Sequence, residues 1–205
     1  LNNEYVDKEG RRTPIPGTLL ISAVAIAPDI RQAVTMDLKA AGNRLYVVGQ
    51  TRNELGGSLL GRHFGLSGGV PPTLPDDAPR AARALHRAIR RGTVRACHDC
   101  SEGGLAVAAA EMALAGGLGL EIQLDAVPVA AGADHPLITL FSESNSRWLV
   151  EVEPAQAAAF ETEMAGCTIA QIGRVTAEPL LRAGAIQIPV DALEQAWRGG
   201  QRGQQ

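Results

Sequence analysis

With 205 residues, 45% of them hydrophobic and 20% charged, the chain can bury one sizeable core, with or without an appendage. A formal net charge of −3 argues against nucleic acid as a partner, and no apolar run reaches the ~18 residues of a membrane span or follows a basic, signal-like opening. Three cysteines leave one over from any single pairing and make no disulfide framework, so the expectation is a cytoplasmic protein with neither nucleic-acid nor membrane partners.

The chain opens Leu1-Asn2-Asn3-Glu4-Tyr5, without an initiator methionine, a helix cap or a strand nucleus, and so reads as the continuation of something upstream. Lys8–Arg12 is a polar turn. Pro14 and Pro16 then impose an extended path into Thr18–Ala27, a nearly continuous apolar strand that needs cover on both faces. Arg44–Gly49 is a buried strand, followed by the loop Thr51–Ser58 and a short helix over Leu59–Phe64. Gly56, Gly57 and Ser58 at that helix start are candidates to hold a phosphate through backbone N–H groups, although their spacing is neither a Walker nor a dinucleotide pattern. Gly65–Pro75 reads as a flexible surface loop.

A helix follows, with Pro79 in its first turn, Gly92 at its end and an apolar stripe of Ala82, Leu85, Ala88 and Ile89. His86 borders the stripe as a half-buried packing residue. Arg80, Arg83, Arg87, Arg90 and Arg91 lie mostly off it and read as a solvated face, because no aromatics are interleaved to stack bases.

Val94–Cys97 is a short buried strand and Leu105–Leu114 a tight, alanine-rich helix, so the polar run between them is packed into one strand-to-helix turn. Its helix-start N–H groups, with Ser101, Gly103 and Gly104, suit an anion, while Asp99 and Glu102 offer carboxylates to a hard cation. The plainer alternative makes Ser101 an N-cap and the two glycines a tight turn. Cys97 and Cys100 also spell C-x-x-C, which raises a small metal or redox module as a third reading. The only other cysteine is the isolated Cys167, and strand alternation puts Cys97 and Cys100 on opposite faces.

Gly116-Gly117 ends the central helix, and Gly119–Leu124 is a strand with Leu120, Ile122 and Leu124 on one face. Pro136–Phe141, a short helix or apolar turn, leads into Ser142-Glu143-Ser144-Asn145-Ser146-Arg147. Within that run Glu143, Ser144 and Asn145 offer a carboxylate, a hydroxyl and an amide to a hydroxylated ligand or a metal–phosphate shell, or else form a polar turn capped by its own serines. Trp148–Val152 and Thr168–Val175 are strands around the helix Pro154–Met164. Leu180–Arg182 and Ala185–Ile188 make a closing hairpin about Gly184, and a helix capped by Asp191 runs over Asp191–Trp197 before the tail 199–205. Strands and helices alternate through residues 44–198, which predicts an α/β (α+β) domain: a mixed sheet with helices packed across it.

The run from His98 to Glu111 (His-Asp-x-Ser-Glu-Gly-Gly-Leu-Ala-Val-Ala-x-Ala-Glu) resembles the signature of the C-terminal-type domain of the phosphoribosylformylglycinamidine synthases, within the aminoimidazole-ribonucleotide-synthetase superfamily. Two further runs agree: Thr18–Ala23 before Pro28-Asp29 and Ala33–Asp37, and Leu140–Arg147. The resemblance implies a remnant of a preceding N-terminal-type domain and linker over 1–33, the C-terminal-type domain over 34–198, and a pseudo-twofold enzyme with two copies of each domain. It implies an ATP- and Mg2+-dependent ligase that turns formylglycinamide ribonucleotide into its amidine with ammonia from a glutaminase subunit or domain. Carried over residue by residue, Asp99 is a magnesium ligand and Glu143, Ser144 and Asn145 are ligand contacts. No residue is assigned catalysis, and His98 does not inherit the family's catalytic histidine. The isolated chain is expected to be inactive and to self-associate through residues 18–27. The alternatives are an auxiliary nucleotide-docking domain of that enzyme, or a related ATP-using member of the selenophosphate synthetase or hydrogenase-maturation type.

Overall fold

The computed structural model describes residues 4–14 and 20–202, with side chains described up to residue 199. It divides into two units, Leu1–Ile30 and Arg31–Gln205. In the first, strands β1 (Glu4–Val6) and β2 (Arg12–Pro14) form an antiparallel hairpin, with Tyr5 opposite Thr13, where no strand nucleus is expected from the sequence. Asp7 makes the turn: its carboxylate accepts from the backbone N–H of Glu9 and of Arg11, at 3.0 and 2.8 Å. The apolar run that follows is a second correction. Residues 20–27 form no strand, and Val24 and Ile26 are exposed; Thr18 and Leu19 lie outside the described residues. Apolar composition alone does not make a strand, because each extended residue needs a ladder partner for its N–H and C=O.

The second unit is built on β3 (Arg44–Val48), whose residues alternate between two cores. Leu45 and Val47 face one core and Tyr46 and Val48 the other, all essentially inaccessible to solvent. Around it lie β4 (Ala96–Asp99), β5 (Gly119–Ile122), β6 (Trp148–Val152), β7 (Ile169–Thr176), β8 (Leu180–Ala183) and β9 (Ile186–Pro189), in the order β4-β6-β3-β7-β5-β8-β9. Neighbours are antiparallel except β5 and β8, which are parallel, so the sheet is mixed as the strand–helix alternation predicts.

One core lies between the sheet and α3 (Gly104–Gly116), flanked by α4 (Pro136–Phe141) and α6 (Val190–Arg202). Helix α3 is apolar nearly all round, as a helix buried on most sides must be, and its alanines bring its axis close to the strands. Leu105, Ala109, Met112 and Ala113 are fully buried. Helix α6 starts one residue before Asp191, so Asp191 sits in its first turn rather than at its cap. The favourable meeting of its charge with the helix dipole survives that correction.

The other core holds α2 (Ala78–Arg90) and α5 (Ala157–Glu163), which pack against each other. Ala78, Ala81, Ala84, Leu85 and Ala88 are buried on α2, whereas Ala82 and His86 are exposed, so the apolar stripe is rotated from the expected one. Ala81, Ala84 and Ala88 share this core with Tyr46 and Phe160, whose ring centroids are 5.0 Å apart. Of the outward arginines, Arg87 and Arg91 pair with Glu163 of α5.

The polar connections are held by buried charge. Glu151 of β6 is fully buried and accepts from Lys39 N–H, Ala40 N–H and the Asn43 amide at 2.8, 3.1 and 2.6 Å, clasping the segment ahead of β3 to the sheet. No helix among the described residues is long and apolar enough to cross a membrane.

Candidate functional site

Strand β4 runs two residues beyond the expected Val94–Cys97 and takes in His98 and Asp99, and α3 begins at Gly104, so the turn between them is the shorter polar run Cys100 to Gly103. Cys97 packs into the α2-side core and Cys100 into the α3-side core, on opposite faces. Burial pushes their thiols up, to about 12 for Cys97 and about 11 for Cys100, and both are free. A thiolate is the reactive and metal-binding form, so this pair is a packing feature. Among the described residues no group of three or more His, Cys, Asp or Glu is arranged to hold a metal.

Gly103 and Gly104 both have left-handed backbones, with φ of 78° and 62°. A Cβ on Gly104 would clash with the Ser142 carbonyl oxygen, so a bare Cα is what lets the start of α3 press against the 140–142 backbone. That approach brings Glu143 over the helix start. Its Oε1 accepts from Gly103 N–H at 2.8 Å and from Leu59 N–H at 2.7 Å. Leu59 begins α1 (Leu59–His63), so one carboxylate joins the two glycine-bearing loops, one ahead of α1 and one ahead of α3.

The residues singled out from the sequence divide into those that face open space and those that are spoken for. Asp99, Ser101, Glu143, Asn145, Ser146 and Arg147 line one cavity of about 400 Å3. Ser101 Oγ donates to the Asp99 carboxylate. Ser144 is fully buried and turns inward, its Oγ accepting from Arg52 N–H at 2.9 Å. Ser58 is likewise buried and caps α1 by accepting from Gly61 N–H at 3.1 Å. Gly56 lies against the backbone of residues 69–71, its N–H donating to Val70 C=O at 2.8 Å, whereas Gly57, at φ 75°, faces open space. Glu102 turns toward Arg62, 3.7 Å away, and His98 Nε2 lies 2.7 Å from a Glu111 carboxylate oxygen. Beyond Gly103 a second cavity, about 750 Å3 and mainly apolar, is lined by Leu59, Leu60, Phe64, Val107 and Phe141.

Two charged residues that position this site are not apparent as such in the sequence. Arg147 is 1% exposed; its Nε donates to Ser144 C=O at 3.1 Å, one Nη to Thr51 Oγ1 at 2.8 Å and the other to Ser142 C=O. It thereby fixes the whole 142–147 loop from inside. Glu54 is also buried, accepting from Thr73 N–H at 3.0 Å and Thr73 Oγ1 at 2.7 Å and pairing with Arg52 at 3.2 Å. No local pattern marks either one: Glu54 is flanked by exposed Asn53 and half-buried Leu55, and Arg147 by half-buried Ser146 and Trp148.

Burial alone would raise the Glu54 pKa, but the hydrogen bonds from Thr73, Ser144 and Arg52 outweigh it and hold the carboxyl at about 2, down from 4.5. Because the folded pKa is depressed, Glu54 stabilises the fold fully above pH 4.5 and loses that contribution as pH falls toward 2. At roughly 1.4 kcal/mol per pKa unit the contribution is on the order of 3 kcal/mol. The expected result is that Glu54→Gln is less stable than the parent chain at neutral pH and that the gap narrows between pH 4.5 and the acid limit. Urea midpoints measured across that range check it; a gap constant with pH contradicts it.

A mixed sheet between two helical layers, with its chemistry-bearing residues gathered in loops that join strands to helices, defines an α+β domain. The family model for the AIR synthase related protein, C-terminal domain, matches residues 40–185, and the chain belongs to that family. It is 36% identical to the phosphoribosylformylglycinamidine synthase subunit PurL of Deinococcus radiodurans over 96% of this chain and 27% of that protein. With the PurL subunit of Moorella thermoacetica it shares 43% identity over 67% of this chain and 18% of that one. The chain thus spans about a quarter of the length of the curated relatives it matches. Among solved structures, Thermotoga maritima PurL complexed with FGAR superposes with a TM-score of 0.70 at 20% identity, covering 80% of this chain and 30% of that one. E. coli HypE, a hydrogenase maturation protein, gives a TM-score of 0.54 at 21% identity over 77% of this chain and 51% of its own. These structural likenesses bear on the fold.

Proposed function

We propose that this chain is the C-terminal AIR-synthetase-type portion of a phosphoribosylformylglycinamidine synthase, the cytoplasmic ligase that converts formylglycinamide ribonucleotide to the amidine. The observation that carries the reading is the PurL similarity along nearly the whole chain, 36% identity over 96% of it. In the reaction, ATP transfers its γ-phosphoryl group to the amide oxygen, and ammonia from a glutaminase then displaces that oxygen as phosphate, leaving a C=N bond. What such chemistry asks of this domain is positioning and charge neutralisation rather than a nucleophile. Asp99, half-open on the 400 Å3 cavity that Asn145 also lines, is the group suited to Mg2+, which takes one or two carboxylates and completes its shell with phosphate oxygens and water. When bound, that ion supplies positive charge to the phosphates. The upstream domains of the same enzyme supply the remaining contacts.

One observation favours the auxiliary reading, in which this copy docks a nucleotide without turning it over. The helix-start N–H groups of Leu59 and Gly103, which a phosphate would otherwise occupy, are already taken by Glu143. Titration of Mg2+-ATP into the full-length enzyme tests both versions. Replacement Asp99→Asn is expected to weaken nucleotide affinity about tenfold, the worth of one charge-assisted ligand contact. Loss of turnover together with that affinity supports the active site; loss of affinity with turnover kept supports the auxiliary one. Unchanged affinity removes Asp99 from the site.

A further inference from the structure

The glycine-loop site belongs to the α3 side of the sheet. Against the α2-side core, beside the C-terminal end of α2, stands a separate cavity of about 330 Å3. Its lining includes Arg31, Lys39, Arg90 and Arg95 together with Thr35, and contains no carboxylate. We propose that this cavity binds a compact phosphate monoester through its dianionic phosphate group. The inference does not rest on the reading of the glycine-loop site.

The walls are held in place. Val34 and Ile89 pack against the α2-side core, Cys97 N–H donates to Thr35 C=O at 3.2 Å, and Arg95 N–H donates to Glu151 C=O at 2.8 Å. Four cationic side chains are therefore presented from three separate segments onto one concavity. A helix C-terminus repels an anion through its open carbonyls, but here they are largely taken: Thr93 N–H and Oγ1 both donate to Ala88 C=O, and Gly92 N–H donates to Ile89 C=O at 2.9 Å.

Arg90 and Arg95 are the donors on which the proposal rests. Arg95 pairs with Glu153 at 3.1 Å, both more than 40% exposed, the class of ion pair that contributes least, whereas the Lys39 ammonium is engaged by the Asp37 carboxylate at 2.6 Å, Asp37 C=O at 2.7 Å and Thr35 Oγ1 at 2.6 Å and lends the cavity its charge rather than a free N–H. Arg90 has no ion-pair partner among the described residues. A phosphate dianion brings nearly two charges and three acceptor oxygens, which match the forked donors of arginine better than a single carboxylate does. The concavity holds a phosphate with a small polyol or sugar attached. It excludes a nucleic-acid strand, because no aromatic side chain lines it to stack a base.

Backbone-amide NMR of the full chain, titrated with inorganic phosphate and with glycerol 3-phosphate at ionic strength held constant with chloride, tests the proposal. Saturable shifts are expected at Thr35, Gly92 and Arg95, with glycerol 3-phosphate binding at least as tightly as phosphate. Arg90→Gln and Arg95→Gln should each weaken binding about tenfold, the scale of one charge-assisted hydrogen bond. Both side chains are exposed, so the variants keep the fold, and retained amide dispersion verifies it. Shifts that never saturate, saturable shifts confined to Gly103 and Gly104, or unchanged affinity in both variants each overturn the proposal.

Discussion

Replacing Gly104 with alanine is expected to destabilise the domain by about 2–4 kcal/mol, from left-handed backbone strain of roughly 1–2 kcal/mol plus an overpacking cost of about the same size. The backbone at Gly104 has φ of 62°, and an added methyl would meet the Ser142 carbonyl oxygen, with the Leu140 carbonyl oxygen 3.0 Å away. Both obstacles are backbone atoms, the Ser142 carbonyl held by Arg147 and the Leu140 carbonyl within α4, so they cannot rotate aside as a long side chain would. The clash also reaches the site, since any retreat of residues 140–142 pulls Glu143 off Gly103 N–H and Leu59 N–H. Urea unfolding of Gly104→Ala measures the stability loss. Faster amide exchange at Leu59 and Gly103 distinguishes a loosened site from a merely weakened core. The contrasting control is Gly57→Ala, where φ is also positive but the Cβ meets nothing within 4 Å. It should cost only the backbone term, about 1–2 kcal/mol.

Replacing Arg147 with methionine is the second large expectation, a loss of about 3–5 kcal/mol. The substitution keeps an apolar stem of similar length but strands the Ser144 and Ser142 carbonyls and the Thr51 hydroxyl, all of which it now satisfies inside the protein. Burial already disfavours the charged form and pulls the Arg147 pKa below its ordinary value. The guanidinium is nonetheless retained because its fork reaches three acceptors at once. Arg147→Lys should therefore recover little, since an ammonium presents no planar fork to acceptors placed on different sides. Denaturant midpoints of the two variants check this; a lysine variant as stable as the parent would show that charge alone, and not fork geometry, holds the loop.

The strand–helix punctuation was legible without coordinates. Arg44–Val48, Trp148–Val152 and Pro136–Phe141 fall where periodicity and proline place them, and a strand-to-helix turn lies within the polar run, at residues 100–103. Those features depend on local rules: side-chain period, the fixed φ of proline and the orphan N–H groups of a helix start. The family membership was legible for the same reason, because its signature is a contiguous run.

What the linear order could not supply was the partner of each polar group. Ser58 and Ser144 have the chemistry of ligand contacts, but their hydroxyls close backbone bonds within the fold. Glu143 joins two loops that are distant in sequence, and the inward face of α2 is the one that packs on the core holding Tyr46 and Phe160. The Thr18–Ala27 run has strand composition, yet its described residues form no strand, because pairing is a property of two segments and composition describes one. Within residues 44–198 the sequence by itself determined the order of strands and helices and the residue types in the turns. The tertiary structure decided which polar atoms remain open to a ligand, because a buried donor or acceptor must first be satisfied by whatever the fold brings within hydrogen-bond reach.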